Sequence, residues 1–318
     1  MRKYNKMDNR HNIGIIGGGI CGLYLAWKFA RLGEKVEVFE RKKEIGNEVC
    51  SGLFSERILN FLPQSHKLVK NEINSAVIHF PKKDINVRFS KIFFVMSHFE
   101  LDRLVASLAR EAGAEIYLNR NIEELPQGFE KLIGCDGANS VLRRKLNLPN
   151  PAFRLGIHGF VKKRTTDSFV DVWPCKDGFI WKIPRGNEIE YGAIAKPETA
   201  KKLLNDFLTK NNISLGNINS KIIPQGLVIP DNQSITLCGD AAGLTKPWSG
   251  GGVVWSLIAA EILLKTFPDF SDYRARMKRF FLPKIIFSKS ATKLVYFSGF
   301  KTPWLLPNSA KIEGDFLL

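Results

Sequence analysis

The spacing of apolar positions changes several times along the chain, and each change marks an element. Residues 13–16 are a short apolar run, as in a strand covered on both faces. After a cluster of glycines, a helical repeat runs from about Ile20 to Leu32 and stops at Gly33. Val36 and Val38 then alternate with polar residues in a second strand that ends at Glu40. Residues 76–94 alternate too and are rich in β-branched and aromatic types, with Pro81-Lys82-Lys83-Asp84 as the turn of a hairpin. Leu101, Leu104, Val105, Leu108 and Ala109 share one face of a helix over 101–112, and a strand follows at 115–118. A helix is also predicted over residues 55–61.

The second half has a different texture. Residues 154–229 are β-rich, with strands at 168–173, 179–183 and 188–194 and one amphipathic helix near 198–210. Residues 234–240 return to a buried strand, and a helix follows over 253–265. Strand–helix–strand steps predict a parallel sheet, and the alternating segments an antiparallel one. The expected fold class is therefore α/β: a Rossmann-like domain, an antiparallel-sheet substrate domain and a short helical C-terminal region. The expected division gives residues 1–75, 97–150 and 231–265 to the first, 76–96 and 151–230 to the second, and 266–318 to the last.

The glycines between the first strand and helix carry chemistry. Gly17, Gly19 and Gly22 fill the three slots of G-x-G-x-x-G. Gly17 permits the turn, Gly19 admits a pyrophosphate to the backbone, and Gly22 lets helix and strand pack closely. The helix N-terminus points its free N–H groups at the phosphates. Glu40, at the tip of the second strand, is placed to accept hydrogen bonds from a ribose. A second glycine–aspartate turn, Gly134-Cys135-Asp136-Gly137 with Ser140, follows a later strand. A third, Gly239-Asp240-Ala241-Ala242-Gly243, leads to Pro247, Trp248 and the triplet Gly250-Gly251-Gly252, which opens a helix. That helix dipole favours negative charge at the triplet. Trp173, Phe179 and Trp181 line a pocket or pack a core on this evidence.

A net charge of +16 over 318 residues suggests an anionic partner, or a lysine-rich proteome. Residues 273–306 mix lysine and arginine with aromatics, as a surface lying on an anionic membrane does, or a helical cap with a solvated basic face. No nucleic-acid recognition motif accompanies the charge. The five cysteines form no C-x-x-C pair, and the histidines show no ligand spacing, so neither a disulfide framework nor a metal site is expected. The first twelve residues are polar and basic and read as no secretory leader. The expected location is cytoplasmic, with peripheral contact on the inner face of the cell membrane.

Taken together in this order, the three glycine motifs resemble those of FAD enzymes of the para-hydroxybenzoate hydroxylase fold. Within that group the chain is similar to the geranylgeranyl reductases, including the archaeal enzymes that saturate digeranylgeranylglycerophospholipids. Cys50-Ser51-Gly52-Leu53 resembles the family's cysteine–glycine turn beside the flavin. Phe179-x-Trp181-x-Ile183-Pro184, ending at Gly192, resembles its substrate-domain signature, with Phe179 and Ile183 in place of the commoner Tyr and Phe. His98 stands where an arginine is usual.

The resemblance implies FAD as cofactor. Phosphate contacts would fall at Gly17, Gly19, Cys21 and Gly22, ribose contact at Glu40, and adenine contact at the Ile122 backbone. Cys50, Ser51, Gly52 and His98 would lie near the isoalloxazine, and Asp240, Gly251, Gly252 and Val253 along the ribityl chain and ring. Phe179, Trp181, Pro184, Pro247 and Trp248 would line the substrate pocket, with Cys50 as a catalytic candidate by position. The implied reaction is reduction of isoprenoid C=C bonds in prenyl lipids, with NAD(P)H, a ferredoxin or a quinol as electron donor. A flavin-dependent monooxygenase or halogenase is the alternative, because Trp181-x-Ile183-Pro184 also resembles a halogenase signature. A non-catalytic flavoprotein or membrane-surface binding protein is the second alternative.

Overall fold

The structure is a computed structural model that describes residues 10–46 and 51–316. Its first sheet has five parallel strands in the spatial order Ile235–Leu237, Lys131–Gly134, Asn12–Ile16, Lys35–Phe39, Glu115–Tyr117. The central strand Asn12–Ile16 runs directly into the glycine turn, so that turn opens at the carboxyl edge of the sheet, where α/β folds bind ligands. The helix Ile20–Arg31 follows and is buried along most of its length, because the helices His98–Glu111 and Val253–Thr266 pack on it. Gly33, with φ +89°, turns the chain out of that helix. The main core lies here, around Ile13, Ile15, Leu23, Phe29, Trp255 and Tyr273.

The second sheet has nine strands, mostly antiparallel. Its hairpin joins Val69–Phe80 to Lys83–Met96, turning at the expected Pro81-Lys82, and its first strand begins earlier than the alternation suggested. Ser55 ends a short strand, Leu53–Ser55, instead of starting a helix, and only Ile58–Phe61 is helical. The strands Phe169–Cys175, Gly178–Pro184, Ile189–Ala195 and Ala152–Val161 follow as neighbours in the sheet. The amphipathic helix Ala200–Lys210 covers one of its faces through Leu204 and Leu208.

The C-terminal region holds more than a short helical segment. One helix of 32 residues, Phe270–Lys301, continues past an internal Pro283. The chain then returns as a strand, Ser309–Ile312, pairing in parallel with Lys83–Met96. Helical periodicity gives no hint of that strand, since four residues among prolines and polar groups carry little alternation.

Candidate dinucleotide and substrate site

The three glycine motifs meet in space. A Cβ at Gly17 would lie 2.3 Å from the Cys135 carbonyl oxygen, and one at Gly22 would lie 2.1 Å from the Gly17 carbonyl oxygen. Neither position tolerates a side chain. At Gly19 the space is open for 4 Å around the same point, so the missing side chain there serves something other than protein packing. Gly19 caps the first helix without a side-chain hydrogen bond and with no acid in the first turn, which leaves its N–H groups for an anion. Glu40 closes the loop from below: Oε2 accepts from the Gly18 N–H at 2.7 Å and Oε1 from the Lys42 N–H at 2.9 Å. The Arg120 N–H donates to the Glu40 carbonyl, so the segment leading to Ile122 runs beside the same acid.

One cysteine from each motif enters the cluster. Cys21 Sγ and Cys135 Sγ are 4.0 Å apart, and a Cβ at Gly239 would touch Cys21 Sγ at 3.2 Å. Hydrogen bonding to Cys135 and burial push the Cys21 thiol well up. Hydrogen bonding to Cys21 and burial do the same to Cys238. These are packed, protonated thiols with little nucleophilic character.

Arg143 is the tie that the sequence did not reveal. Its guanidinium is buried, and it donates to the Ala138 carbonyl of the second motif and, at 2.9 Å, to the Ala241 carbonyl of the third. Asp136 Oδ2 accepts from the Val141 N–H and Ser140 Oγ from the Arg143 N–H at 3.1 Å, so the helix carrying Arg143 is capped twice. A basic residue in a short basic helix gives no sign of such burial. Only its distance from solvent in the fold does.

The triplet Gly250-Gly251-Gly252 lies where the antiparallel sheet meets this edge. A Cβ at Gly250 would lie 2.6 Å from Ile194 Cδ1, and Lys221 Nζ lies 3.2 Å from Asp240 Oδ2. Gly252 starts the helix Val253–Thr266, again without a side-chain cap or an acid in the first turn. Residues paired across strands share a face, and so do residues two apart along a strand. Through Ile194↔Phe179 and Gly192↔Trp181, both aromatics therefore share the face on which Ile194 meets Gly250 of the triplet. Trp173 pairs with Ile180 and faces the other way, tilted against Phe207 at 4.8 Å and packed half-buried on the core around Leu204. Pro184 falls on that same alternate face, at the strand end.

Trp181 is held in a polar cluster. Its Nε1–H donates to Glu190 Oε1 at 2.9 Å, and Arg185 Nη1 donates to Glu190 Oε2 at 2.9 Å. Arg185 also donates to the Ser51 carbonyl, which couples the substrate sheet to the Ser51-Gly52 turn. Gly52 has φ +64°, and a Cβ there would strike the Met96 carbonyl at 2.1 Å. Both nitrogens of buried His158 lack a hydrogen-bond partner, although Nδ1 stands 3.2 Å from Glu190 Oε1. The charged residue inside the alternating strand Ile189–Ala195 was the available sequence signal for Glu190.

His98 begins the helix His98–Glu111, with Nε2 3.4 Å from Asp102 Oδ1 and its ring edge-on to Phe54. Trp248 meets Trp255 edge-on at 5.9 Å, and the Pro247 carbonyl accepts from Gln225. Cys50 lies outside the described residues.

A family model for an NAD(P)-binding Rossmann-like domain matches residues 15–67. The chain is 25% identical over 284 residues to a geranylgeranyl diphosphate reductase of Rhodobacter capsulatus, covering 78% of this chain and 72% of that protein. It is 24% identical over 301 residues to digeranylgeranylglycerophospholipid reductase 2 of Methanothermobacter thermautotrophicus, covering 80% and 76%. A solved geranylgeranyl bacteriochlorophyll reductase-like protein of Thermoplasma acidophilum aligns with a TM-score of 0.77 at 18% identity, covering 89% of this chain and 87% of that one. A myxobacterial chondrochloren halogenase, described as FAD-dependent, aligns with a TM-score of 0.71 at 14% identity, covering 90% and 82%. The α/β fold is common to both solved structures, and the resemblance of this chain to the geranylgeranyl reductases, carried first by its motifs, is borne out by its curated relatives.

Proposed function

We propose that this protein is an FAD-dependent oxidoreductase that saturates isoprenoid double bonds of prenyl lipids in membrane lipid biosynthesis. The observation that carries the reading is the meeting of three glycine motifs on the carboxyl edge of one parallel sheet, beneath a sheet face bearing Phe179 and Trp181. The residues fit FAD. The open space over Gly19 and the uncapped helix starts at Gly19 and Gly252 suit a pyrophosphate and the electron-rich edge of a flavin.

In this reading Gly17, Gly19, Cys21 and Gly22 hold the phosphates, Glu40 a ribose and the Ile122 backbone the adenine. Asp240, Gly251, Gly252 and Val253 would hold the ribityl chain and ring, and Ser51, Gly52 and His98, with Cys50 by its place in the sequence, would serve the isoalloxazine. When bound and reduced, FAD supplies a hydride to one carbon of a double bond. An unactivated alkene offers no charge to grip, so Phe179, Trp181, Pro247 and Trp248 bind it by apolar contact and exclude water, while Pro184, on the alternate face of its strand, does not join them. Cys50, which precedes the Ser51-Gly52 turn in the sequence, is the catalytic candidate by position. The lipid is reached from the cytoplasmic side by peripheral contact with an anionic membrane. NAD(P)H, a ferredoxin or a quinol supplies the electrons.

The test is anaerobic. The purified protein is reduced with dithionite and mixed with a geranylgeranyl phospholipid, and flavin reoxidation is followed alongside product mass. The expected result is reoxidation with a gain of two hydrogens per bond. The second reading, a flavin-dependent monooxygenase or halogenase, draws on Trp181-x-Ile183-Pro184. Rapid oxygen consumption with no response to the lipid would favour it. A colourless protein would sink both enzymes and leave a membrane-surface binding protein.

A further inference from the structure

The long helix Phe270–Lys301 has a face that the protein does not cover. Its inner face is Phe270, Tyr273, Met277, Phe281, Ile285 and Ser288, at the three- and four-residue spacing of a packed stripe. A helix that met only water on its other side would be polar there. Instead Ile286, Phe287, Leu294 and Phe297 are 64%, 50%, 66% and 62% exposed. At about 100° per residue these four fall within an arc of about 100°, opposite Phe281 and Ile285. The turn Pro303–Leu305 extends the strip with exposed Trp304 and Leu305.

The strip is rigid and cationic. Phe80 of the hairpin packs edge-on against Tyr296 and Phe300 and fills the notch that Gly299 leaves, so the far end of the helix is fastened to the antiparallel sheet. Lys289 and Lys293 border the apolar arc, and Lys301 lies at its end. Between Asp272 and Glu313 the chain carries nine Lys and Arg and no Asp or Glu. Isologous pairing with a second copy would set these cations against one another. An apolar strip rimmed by cations matches the headgroup–acyl boundary of an anionic bilayer, where the rings enter the apolar layer and the lysines meet phosphate.

We propose that this face, from Leu282 to Leu305, docks the protein in the plane of an anionic phospholipid bilayer. The inference rests on the prenyl-lipid reading for its purpose but on the helix face alone for its evidence. The test is flotation of the flavin-loaded full chain with vesicles of phosphatidylcholine, with and without phosphatidylglycerol. Two variants are compared with the parent: Phe287→Ser with Leu294→Ser and Phe297→Ser, and Lys289→Gln with Lys293→Gln and Lys301→Gln. All six positions are exposed, so each variant keeps the parent's melting temperature.

The parent floats with anionic vesicles and not with neutral ones. The lysine variant binds on the order of a hundredfold more weakly, from about fivefold per cation, and raised salt weakens the parent in the same direction. The serine variant stays with the soluble fraction. Equal binding of parent and variants overturns the proposal, as does a parent that ignores both vesicles. So does a parent dimer in light scattering that the serine variant converts to monomer, since that face would then join two copies. Reoxidation by a short detergent-soluble prenyl substrate separates this proposal from the reductase reading: it persists in both variants if only docking is lost, and fails in the parent if the reaction is wrong.

Discussion

Lys246 Nζ lies 3.0 Å from Asp315 Oδ1, and both side chains are buried. Asp315 arrives on the C-terminal tail just after the strand Ser309–Ile312, and Lys246 comes from the loop that leads to the glycine triplet. Ser55 donates to the second carboxylate oxygen, Arg57 Nε stands 3.4 Å from it, and the Trp255 Nε1–H donates to the Asp315 carbonyl at 3.0 Å. The tail thus locks the loop that leads to the glycine triplet.

Asp315→Ala should be costly, because it leaves the Lys246 ammonium buried without its counter-ion. The expected loss is about 3–5 kcal/mol of stability. Pairing it with Lys246→Met should recover much of that loss, since an apolar pair of similar volume removes the stranded charge. Urea midpoints of the two single variants and the double variant measure the coupling. Additive losses would show that the pair is no lock.

The glycines of the first turn separate fold from binding. Gly19→Ala meets open space, and Gly19 has φ −86°, which any residue adopts, so stability should change by no more than about 1 kcal/mol. The added methyl stands where a phosphate would approach, so flavin affinity should fall tenfold or more. Gly22→Ala drives a methyl into the Gly17 carbonyl and should cost stability first. Thermal melts and flavin titration of both variants check the contrast, and a Gly19→Ala protein that binds flavin normally would remove this loop from the cofactor.

The elements that proved legible in the sequence have strong local signals. The turn glycines, the helix Ile20–Arg31 and the hairpin turn at Pro81-Lys82 are set by φ requirements and periodicity within a few residues of themselves. What stayed hidden depends on distant partners. Arg143 reads as a surface base and is buried because two carbonyls of separate motifs converge on it. Trp173 and Trp181 look alike in the sequence, and only strand alternation sends one toward the core under the helix Ala200–Lys210 and the other to the face that meets the glycine triplet. Asp315 sits in a stretch with no period, and its role comes from Lys246, 69 residues earlier.

The cysteine cluster predicts an alkaline limit to stability. Hydrogen bonding and burial raise the thiols of Cys21 and Cys238 in the folded state, and burial raises that of Cys135 against the opposing hydrogen bond with Cys21. Below an unfolded thiol pKa of about 8.5 both states hold their protons and nothing is lost. Above it the unfolded chain releases protons that the folded one retains, so stability falls by about 1.4 kcal/mol per pH unit for each thiol. Urea midpoints on either side of that pH should show the slope, and Cys238→Ala should lessen it by one thiol. The native protein should also resist alkylation at these three positions, and rapid modification of Cys21 would contradict its packing.

Trp181 and Gly192 form the last test, on the substrate side. A Cβ at Gly192 would lie 2.3 Å from the Trp181 indole, so Gly192→Ala must push the ring off its strand partner. Trp181→Phe keeps the apolar face but removes the Nε1–H donor to buried Glu190, costing about 1–3 kcal/mol. Both changes lie on the antiparallel sheet, away from the glycine turns, so flavin content should hold. Gly192→Ala should slow reoxidation by prenyl lipid at least tenfold, because the ring then enters the space a substrate chain would occupy. Trp181→Phe should slow it less, since an aromatic surface remains. Rapid-mixing reoxidation rates and the flavin-to-protein ratio decide the matter: equal loss of flavin in both would place the indole at the cofactor, and unchanged rates would take the Phe179–Trp181 face out of substrate binding.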